Sequence, residues 1–86
     1  MRETSEIEVS FEEDSAHTDA RASVVLRGAT FSGWGRARRN PNDENEPMIG
    51  EELAAGRALS DLAHQLVEAA VATISDHEGK PVRIRG

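Results

Sequence analysis

The sequence has 86 residues, of which 37% are hydrophobic and 30% are charged, and it contains no cysteine. This length supports one domain with a modest core, and the lack of cysteine excludes a disulfide framework and a thiolate metal site. We expect a cytoplasmic protein without a membrane segment. Glutamates stand near the N-terminus, where a secretory signal needs positive charge and an apolar run, and no apolar stretch reaches the length of a membrane span.

The charged residues occur in blocks. Residues 21–39 contain five arginines and no acid, whereas residues 1–20 contain seven acids and residues 40–52 contain five. Two interpretations of the basic block stay open. The arginines are either neutralised by neighbouring strands, or they form a local patch that binds anions.

Three segments in the first half alternate apolar and polar residues, with the period of two that is typical of half-buried strands. The first is centred on Ile7, Val9 and Phe11, the second covers residues 19–27 and the third covers residues 30–39. A polar loop is predicted at residues 13–18. Gly28-Ala29 predicts a two-residue hairpin turn between the second and third strands.

A turn at Gly28-Ala29 pairs Arg27 with Thr30. Arg21 then lies opposite Arg36 as a like-charge pair, which is unfavourable by itself. The glutamates of the first strand are expected to interleave with these arginines if that strand pairs with the second.

The same pairing separates a face of small and apolar side chains from a polar face that includes Trp34. We expect the helix to cover the small face. If Trp34 faced the core, Arg36 and Arg38 would be buried with it, and burying two unpaired guanidinium groups is strongly unfavourable. We therefore expect Trp34 on the open face of the sheet, beside the arginines.

A long helix is predicted over residues 49–77, after a surface loop at residues 40–48 that is rich in Asn, Asp and Pro. Glu51 and Glu52 are placed in its first turn, where the helix dipole favours negative charge. Gly56 predicts close contact with the sheet. Residues 81–85 alternate again and predict a short fourth strand or an extended tail. The predicted apolar stripe of the helix is formed by Leu53, Leu59, Leu62, Ala63, Leu66, Ala70 and Ile74.

The sequence contains none of the patterns that we associate with catalysis or metal binding. The three histidines, His17, His64 and His77, have no spacing that would bring them together as metal ligands. No nucleophile elbow and no phosphate-binding loop occur. We predict that the protein is not an enzyme, with no catalytic, cofactor-binding or metal-binding residue and no cofactor.

Two stretches carry a family resemblance. They read G-W-G-R-A-R-R-N-P at residues 33–41 and I-G-E-E-L-A-A-G-R-A-L-S-D-L at residues 49–62. They resemble an actinobacterial family of short proteins of unknown function that have the fold of double-stranded-RNA-binding domains. The resemblance covers residues 5–85 and implies an α+β fold of three antiparallel strands followed by one long helix. It implies no established activity, and some members are associated with stress or dormancy in mycobacteria.

The resemblance in fold does not by itself predict that this protein binds RNA. Double-stranded-RNA-binding domains place a lysine cluster at the start of their last helix, where this sequence has Gly50-Glu51-Glu52. The acidic blocks also offset the positive charge on which phosphate affinity depends.

Two functions are therefore predicted from the sequence. The first is a small non-enzymatic interaction module that contacts a protein partner or a second copy through its open sheet face. The alternative is a weak nucleic-acid or anion binder that uses Arg36, Arg38 and Arg39. The predicted interaction residues are Trp34, Arg36, Arg38, Arg39, Asn40 and Arg57.

Overall fold

The computed structural model describes residues 1–38 and 47–78. The elements are β1 (Ile7–Glu13), β2 (His17–Leu26), β3 (Ala29–Arg38) and α1 (Pro47–Glu78). The strands form one antiparallel sheet in the order β1-β2-β3. The predicted α+β fold of three strands followed by one long helix is confirmed. The predicted fourth strand at residues 81–85 lies outside the described residues.

The β2–β3 turn is formed by Arg27 and Gly28 rather than by the predicted Gly28-Ala29. Both residues have positive φ angles, 49° and 80°, which is the conformation of a type I′ hairpin turn. Leu26 consequently pairs with Ala29. Every cross-strand pair is shifted by two residues from the prediction, and a shift of two leaves each side chain on the same face of the sheet. The predicted face of each side chain in β2 and β3 is therefore right, and the predicted cross-strand residue pairs are wrong.

The β1–β2 connection is shorter than the predicted polar loop at residues 13–18. The Asp14 carboxylate accepts hydrogen bonds from the N–H groups of Ala16 and His17, both at 2.7 Å. These bonds, with that from His17 the largest contribution, hold the pKa of Asp14 below its usual value. The turn is therefore tight enough for β2 to begin at His17, and Thr18 is a buried strand residue.

The helix begins two residues before its predicted start. Pro47 occupies its first position, where a proline fits because the missing N–H would have no helical acceptor there. Glu51 and Glu52 consequently fall in the second turn, and the first turn contains no acid. The predicted placement of these two glutamates at the helix start is wrong.

The core lies between α1 and the small face of β2 and β3. A Cβ atom added to Gly33 would lie 2.2 Å from the Leu62 backbone nitrogen, and one added to Gly35 would lie 2.5 Å from the Ala54 carbonyl oxygen. The helix backbone therefore rests directly on the glycines. Among the described residues, Leu62 is the largest side chain that is fully buried. The buried apolar residues are Ala20, Ala22, Val24, Ala37, Ala54, Ala58 and Leu62.

The predicted helix stripe is wrong at four of its seven residues: Leu53, Leu59, Ala63 and Ala70 are exposed, whereas Leu62 is buried and Leu66 and Ile74 are half-buried. The close approach explains the error at the two leucines. Alanines at positions 54 and 58 contact the sheet, whereas Leu53 and Leu59 are 47% and 39% exposed. A leucine at position 54 or 58 would not fit between the helix backbone and Gly35. Gly56 has no neighbouring atom within 4 Å of its would-be Cβ, so its predicted contact with the sheet is also wrong.

Candidate interaction surface on the open sheet face

The open face is the side of the sheet that α1 does not cover. Trp34 lies on it and is 55% exposed, which confirms the placement predicted from its neighbours. Trp34 belongs to the edge strand β3 and is paired with Arg21 of the central strand. The side chains of the open face are those of Glu8, Ser10, Glu12, His17, Asp19, Arg21, Ser23, Val25, Thr30, Ser32, Trp34, Arg36 and Arg38.

Arg36 is held by Asp19, the residue directly opposite it on β2. Its Nε lies 2.6 Å from Oδ1 of Asp19, and its Nη2 lies 3.1 Å from Oδ2. This bidentate geometry is the preferred one for a guanidinium and a carboxylate. The predicted like-charge pair of Arg21 and Arg36 is therefore wrong, because the two-residue shift places an acid opposite Arg36.

The same ion pair positions Arg36 against the indole. The Arg36 Cζ atom lies 5.3 Å from the centroid of the Trp34 ring, within the range of a cation–π interaction. Asp19 thus fixes the guanidinium on one side of Trp34 and limits the conformations of both side chains. An aromatic side chain held in this way loses little conformational entropy when a partner covers it.

The hydrogen bonds of the pair shift both titrating groups. They hold the pKa of Asp19 below its usual value and raise the pKa of Arg36. Because the folded-state pKa of Asp19 is depressed, the pair stabilises the protein above the unfolded carboxyl pKa of about 3.9, and this contribution is lost as the pH falls through the folded value. Both side chains are partly exposed, so salt will screen the effect.

We expect Asp19→Asn to unfold at a lower urea concentration than the wild type at pH 7, with a difference that shrinks when the comparison is repeated near pH 3. Arg36→Gln should produce a similar loss at pH 7. The double variant should lose less than the sum of the two, because either change alone breaks the pair. If the difference in unfolding midpoint between Asp19→Asn and the wild type stayed constant from pH 7 to pH 3, the ion pair of Asp19 with Arg36 would not be its source.

The free edge of β3 is bonded to α1. The Trp34 N–H donates to Oδ2 of Asp61 at 2.9 Å, and Nη1 of Arg57 donates to the Arg36 carbonyl oxygen at 2.7 Å. These side chains satisfy backbone groups that a neighbouring strand would otherwise use. Arg57, predicted as an interaction residue, therefore lies at the sheet edge rather than on the open face. Asp61 was not predicted, although its four-residue spacing from Arg57 places both on one flank of the helix.

A shallow depression of about 390 Å³ lies next to the indole. Arg21 and Trp34 border it on one side, and Glu12 borders it on the β1 side. Its remaining lining residues are Ser10, Phe11, Asp19 and Ala20.

Acidic and basic side chains are balanced on this face. Glu8, Glu12 and Asp19 stand against Arg21, Arg36 and Arg38. The pairing of β1 with β2, on which the predicted interleaving of charges depended, is present. Within residues 1–38 and 47–78, however, the ion pair of this face is that of Asp19 with Arg36, and neither Arg21 nor Arg38 has a carboxylate within 4.0 Å.

Three of the six predicted interaction residues, Trp34, Arg36 and Arg38, lie together on the open face. Arg39 and Asn40 fall outside the described residues. In the part of the chain that the structure describes, no group of three or more His, Asp or Glu side chains is arranged to hold a metal ion, and α1 lacks the apolar length needed to cross a membrane.

Comparisons with known proteins relate the chain to proteins of mycobacteria. A family model described as Rv2632c-like matches residues 3–83. The uncharacterized protein Rv2632c of Mycobacterium tuberculosis is 42% identical over 79 residues, which cover 92% of this chain and 85% of that protein. The uncharacterized protein Mb1767 of Mycobacterium bovis is 36% identical over 78 residues, or 91% and 83% of the two chains. The crystal structure of Rv2632c superposes with a TM-score of 0.84 at 40% identity, over 94% of this chain and 96% of that one.

Proposed function

The chain belongs to the Rv2632c-like family, and we propose that it is a small non-enzymatic interaction module that binds a protein partner through its open sheet face. The observation that carries the proposal is the exposed Trp34, which is held beside Arg36 on a sheet face that the protein's own helix leaves uncovered. Tryptophan and arginine are the residues most enriched at the centres of protein interfaces. A solvent-exposed indole on the sheet face opposite the helix has no role in the core described above.

The surroundings of Trp34 suggest the chemistry of the partner. The depression beside it has room for a side chain of the partner, and an apolar one would pack against the indole. Arg21 and Arg38 have no carboxylate partner among the described residues. A protein segment that presents an apolar residue next to an acidic one therefore matches this surface. Arg36 is already engaged by Asp19 and supports the indole instead.

Affinity capture from cells of the source organism tests the proposal. The tagged wild-type protein should retain a partner that Trp34→Ala loses, because truncating a central aromatic removes about 2 kcal/mol or more of binding energy. Leu53→Ala is the matched control, since Leu53 is also about half exposed but lies on the helix. Retention of the same proteins by the wild type and by Trp34→Ala would overturn the proposal.

The alternative, a weak nucleic-acid or anion binder, has less support. Nucleic-acid affinity grows with the number of phosphates neutralised, and the three arginines of the open face are matched by three acids. Arg21 and Arg38 are the groups that would contact phosphate. Binding of RNA or DNA that weakens steeply with salt and is lost in Arg38→Glu would favour this alternative over a protein partner.

The cellular setting that we propose is a stress or dormancy response. The family resemblance alone supports this part of the proposal. A protein of this kind would act by covering a surface of its partner and so changing what the partner binds. Such an action needs no cofactor and no chemical step.

A further inference from the structure

An apolar groove of about 540 Å³ lies where the β2–β3 hairpin meets the second half of α1. Leu26 and Phe31 line it from the hairpin, and Leu66, Ala70 and Ile74 line it from the helix. Phe31 and Leu66 pack against the core, whereas Leu26 and Ala70 are exposed. An apolar side chain placed in the groove would therefore extend the core, which is small in a domain of this size.

The direction of α1 brings the residues that follow it to this groove. Ala54 lies over Gly35 and Leu62 lies over Gly33, so the helix runs opposite to β3 and toward the β2–β3 hairpin. It continues to Glu78, which places its end just beyond the groove.

The next residues along the chain can turn back and reach the whole groove. We call residues 79–85 the post-helix segment. Gly79 and Pro81 are the residue types that commonly stop a helix and prevent its continuation. The helix end at Glu78 lies about 18 Å beyond Leu66 along the axis. An extended post-helix segment spans about 23 Å, so it is long enough to return over that distance.

The post-helix segment alternates apolar and basic residues. Val82 and Ile84 are separated and followed by Arg83 and Arg85. In an extended chain, successive side chains point to opposite sides. The two apolar side chains would therefore face the groove together, and the two arginines would face away from its floor.

The charges around the groove are complementary to those of the post-helix segment. Glu3 lines the groove, and a depression that shares Ser5 with it is bordered by Glu6 and Glu8. Arg27 is the single cation among the lining residues of the two. The post-helix segment carries three bases and no acid, so its net charge is opposite to that of its surroundings.

We propose that the post-helix segment folds back along α1 and fills the groove. After a turn at residues 79–80, an extended chain places Val82 at about the height of Ile74 and Ile84 at about the height of Ala70. A short tether gives the segment an effective concentration on the order of millimolar at the groove. It is therefore favoured over an apolar segment of another molecule, which would bind from solution.

Disulfide cross-linking tests the proposal cleanly, because the chain contains no cysteine of its own. Ala70→Cys combined with Ile84→Cys should cross-link within one chain under mild oxidation, since a disulfide forms when the two Cβ atoms come within about 4.5 Å. Glu68→Cys combined with Ile84→Cys is the matched control. Glu68 is exposed and lies at nearly the same height of the helix, but it is about 160° around the axis from Ala70. The control pair should cross-link at least about tenfold more slowly, the effect of about 1.4 kcal/mol.

Val82→Asp provides a second variant that tests the apolar contact itself. Added to the Ala70→Cys and Ile84→Cys pair, it should slow cross-linking to the rate of the control pair. In the otherwise unchanged protein, it should lower the urea concentration at which the protein unfolds, because a charged side chain cannot enter the groove without losing its hydration.

Equal cross-linking rates for the Ala70 and Glu68 pairs would overturn the proposal. Cross-linking between two chains instead of within one, which non-reducing electrophoresis separates by size, would also overturn it. So would a Val82→Asp variant that cross-links as fast as its parent. The outcome does not depend on the function proposed for Trp34, because the groove lies on the helix side of the sheet and Trp34 lies on the open face.

Discussion

Gly33→Ala is expected to lower the free energy of unfolding by about 3 kcal/mol or more. The added methyl group would lie 2.2 Å from the Leu62 backbone nitrogen and 2.4 Å from the Ala58 carbonyl oxygen. These neighbours are helix backbone atoms and cannot rotate away as a flexible side chain would. The whole helix must move off the sheet, which loosens the contacts of Ala54, Ala58 and Leu62. Urea unfolding followed by far-ultraviolet circular dichroism measures the loss.

Gly56→Ala is the matched control for this prediction. Gly56 lies in the helix with no atom within 4 Å of its would-be Cβ, so alanine should raise the free energy of unfolding by up to about 1 kcal/mol through its higher helix propensity. Opposite signs for the two Gly→Ala changes are the expected result. If Gly33→Ala were as stable as the wild type, the helix could not lie as close to β3 as described.

Leu62→Ala should be the most damaging single truncation in the core, with an expected loss of about 3 kcal/mol. Leu62 is 2% exposed and is the largest side chain that is fully buried among the described residues. The surrounding alanines have no side-chain reach to fill the cavity that it would leave. The loss is measured by the same urea unfolding experiment.

Leu53→Ala is the matched control for Leu62→Ala, because both changes remove the same atoms from a leucine of the same helix. Leu53 is 47% exposed, and exposed substitutions of this kind usually change stability by about 0.5 kcal/mol or less. Equal losses at positions 53 and 62 would contradict the described orientation of the helix.

The alternation of apolar and polar residues was enough to predict the two faces of the sheet. A period of two does not depend on the type of turn, so the faces survived an error of two residues in the pairing. The turn itself could not be predicted in the same way. A glycine is compatible with either central position of a hairpin turn, and the observed turn also requires a positive φ at Arg27, which a non-glycine residue adopts rarely.

The helix orientation was harder to predict because hydrophobicity and size pointed to different residues. Leucines at positions 53 and 59 matched an apolar stripe, but the residues that lie directly on Gly35 are Ala54 and Ala58, where the close contact leaves no room for a larger side chain. Sequence periodicity reports which side chains are apolar, and it does not report how closely two backbones approach.

The position of Trp34 on the open face could be predicted, because burying the arginines beside it would have been energetically costly. The contacts between α1 and the edge of β3 could not be predicted. Trp34 shares its strand face with Arg36 and Arg38, and the energetic cost of burying those arginines placed it correctly. The role of Arg57 depends on where α1 crosses the edge of β3, which no local pattern encodes. Asp61 was missed for the same reason.

Acrylamide quenching of Trp34 fluorescence tests the proposed role of the open face most directly, because Trp34 is the sole tryptophan of the chain. In the free protein, the indole should be readily quenched, as expected for a side chain that is 55% exposed. Addition of the captured partner should shield it and shift its emission to shorter wavelength. An indole that is equally accessible in the free protein and in the complex would contradict the proposal that the open face is the binding surface.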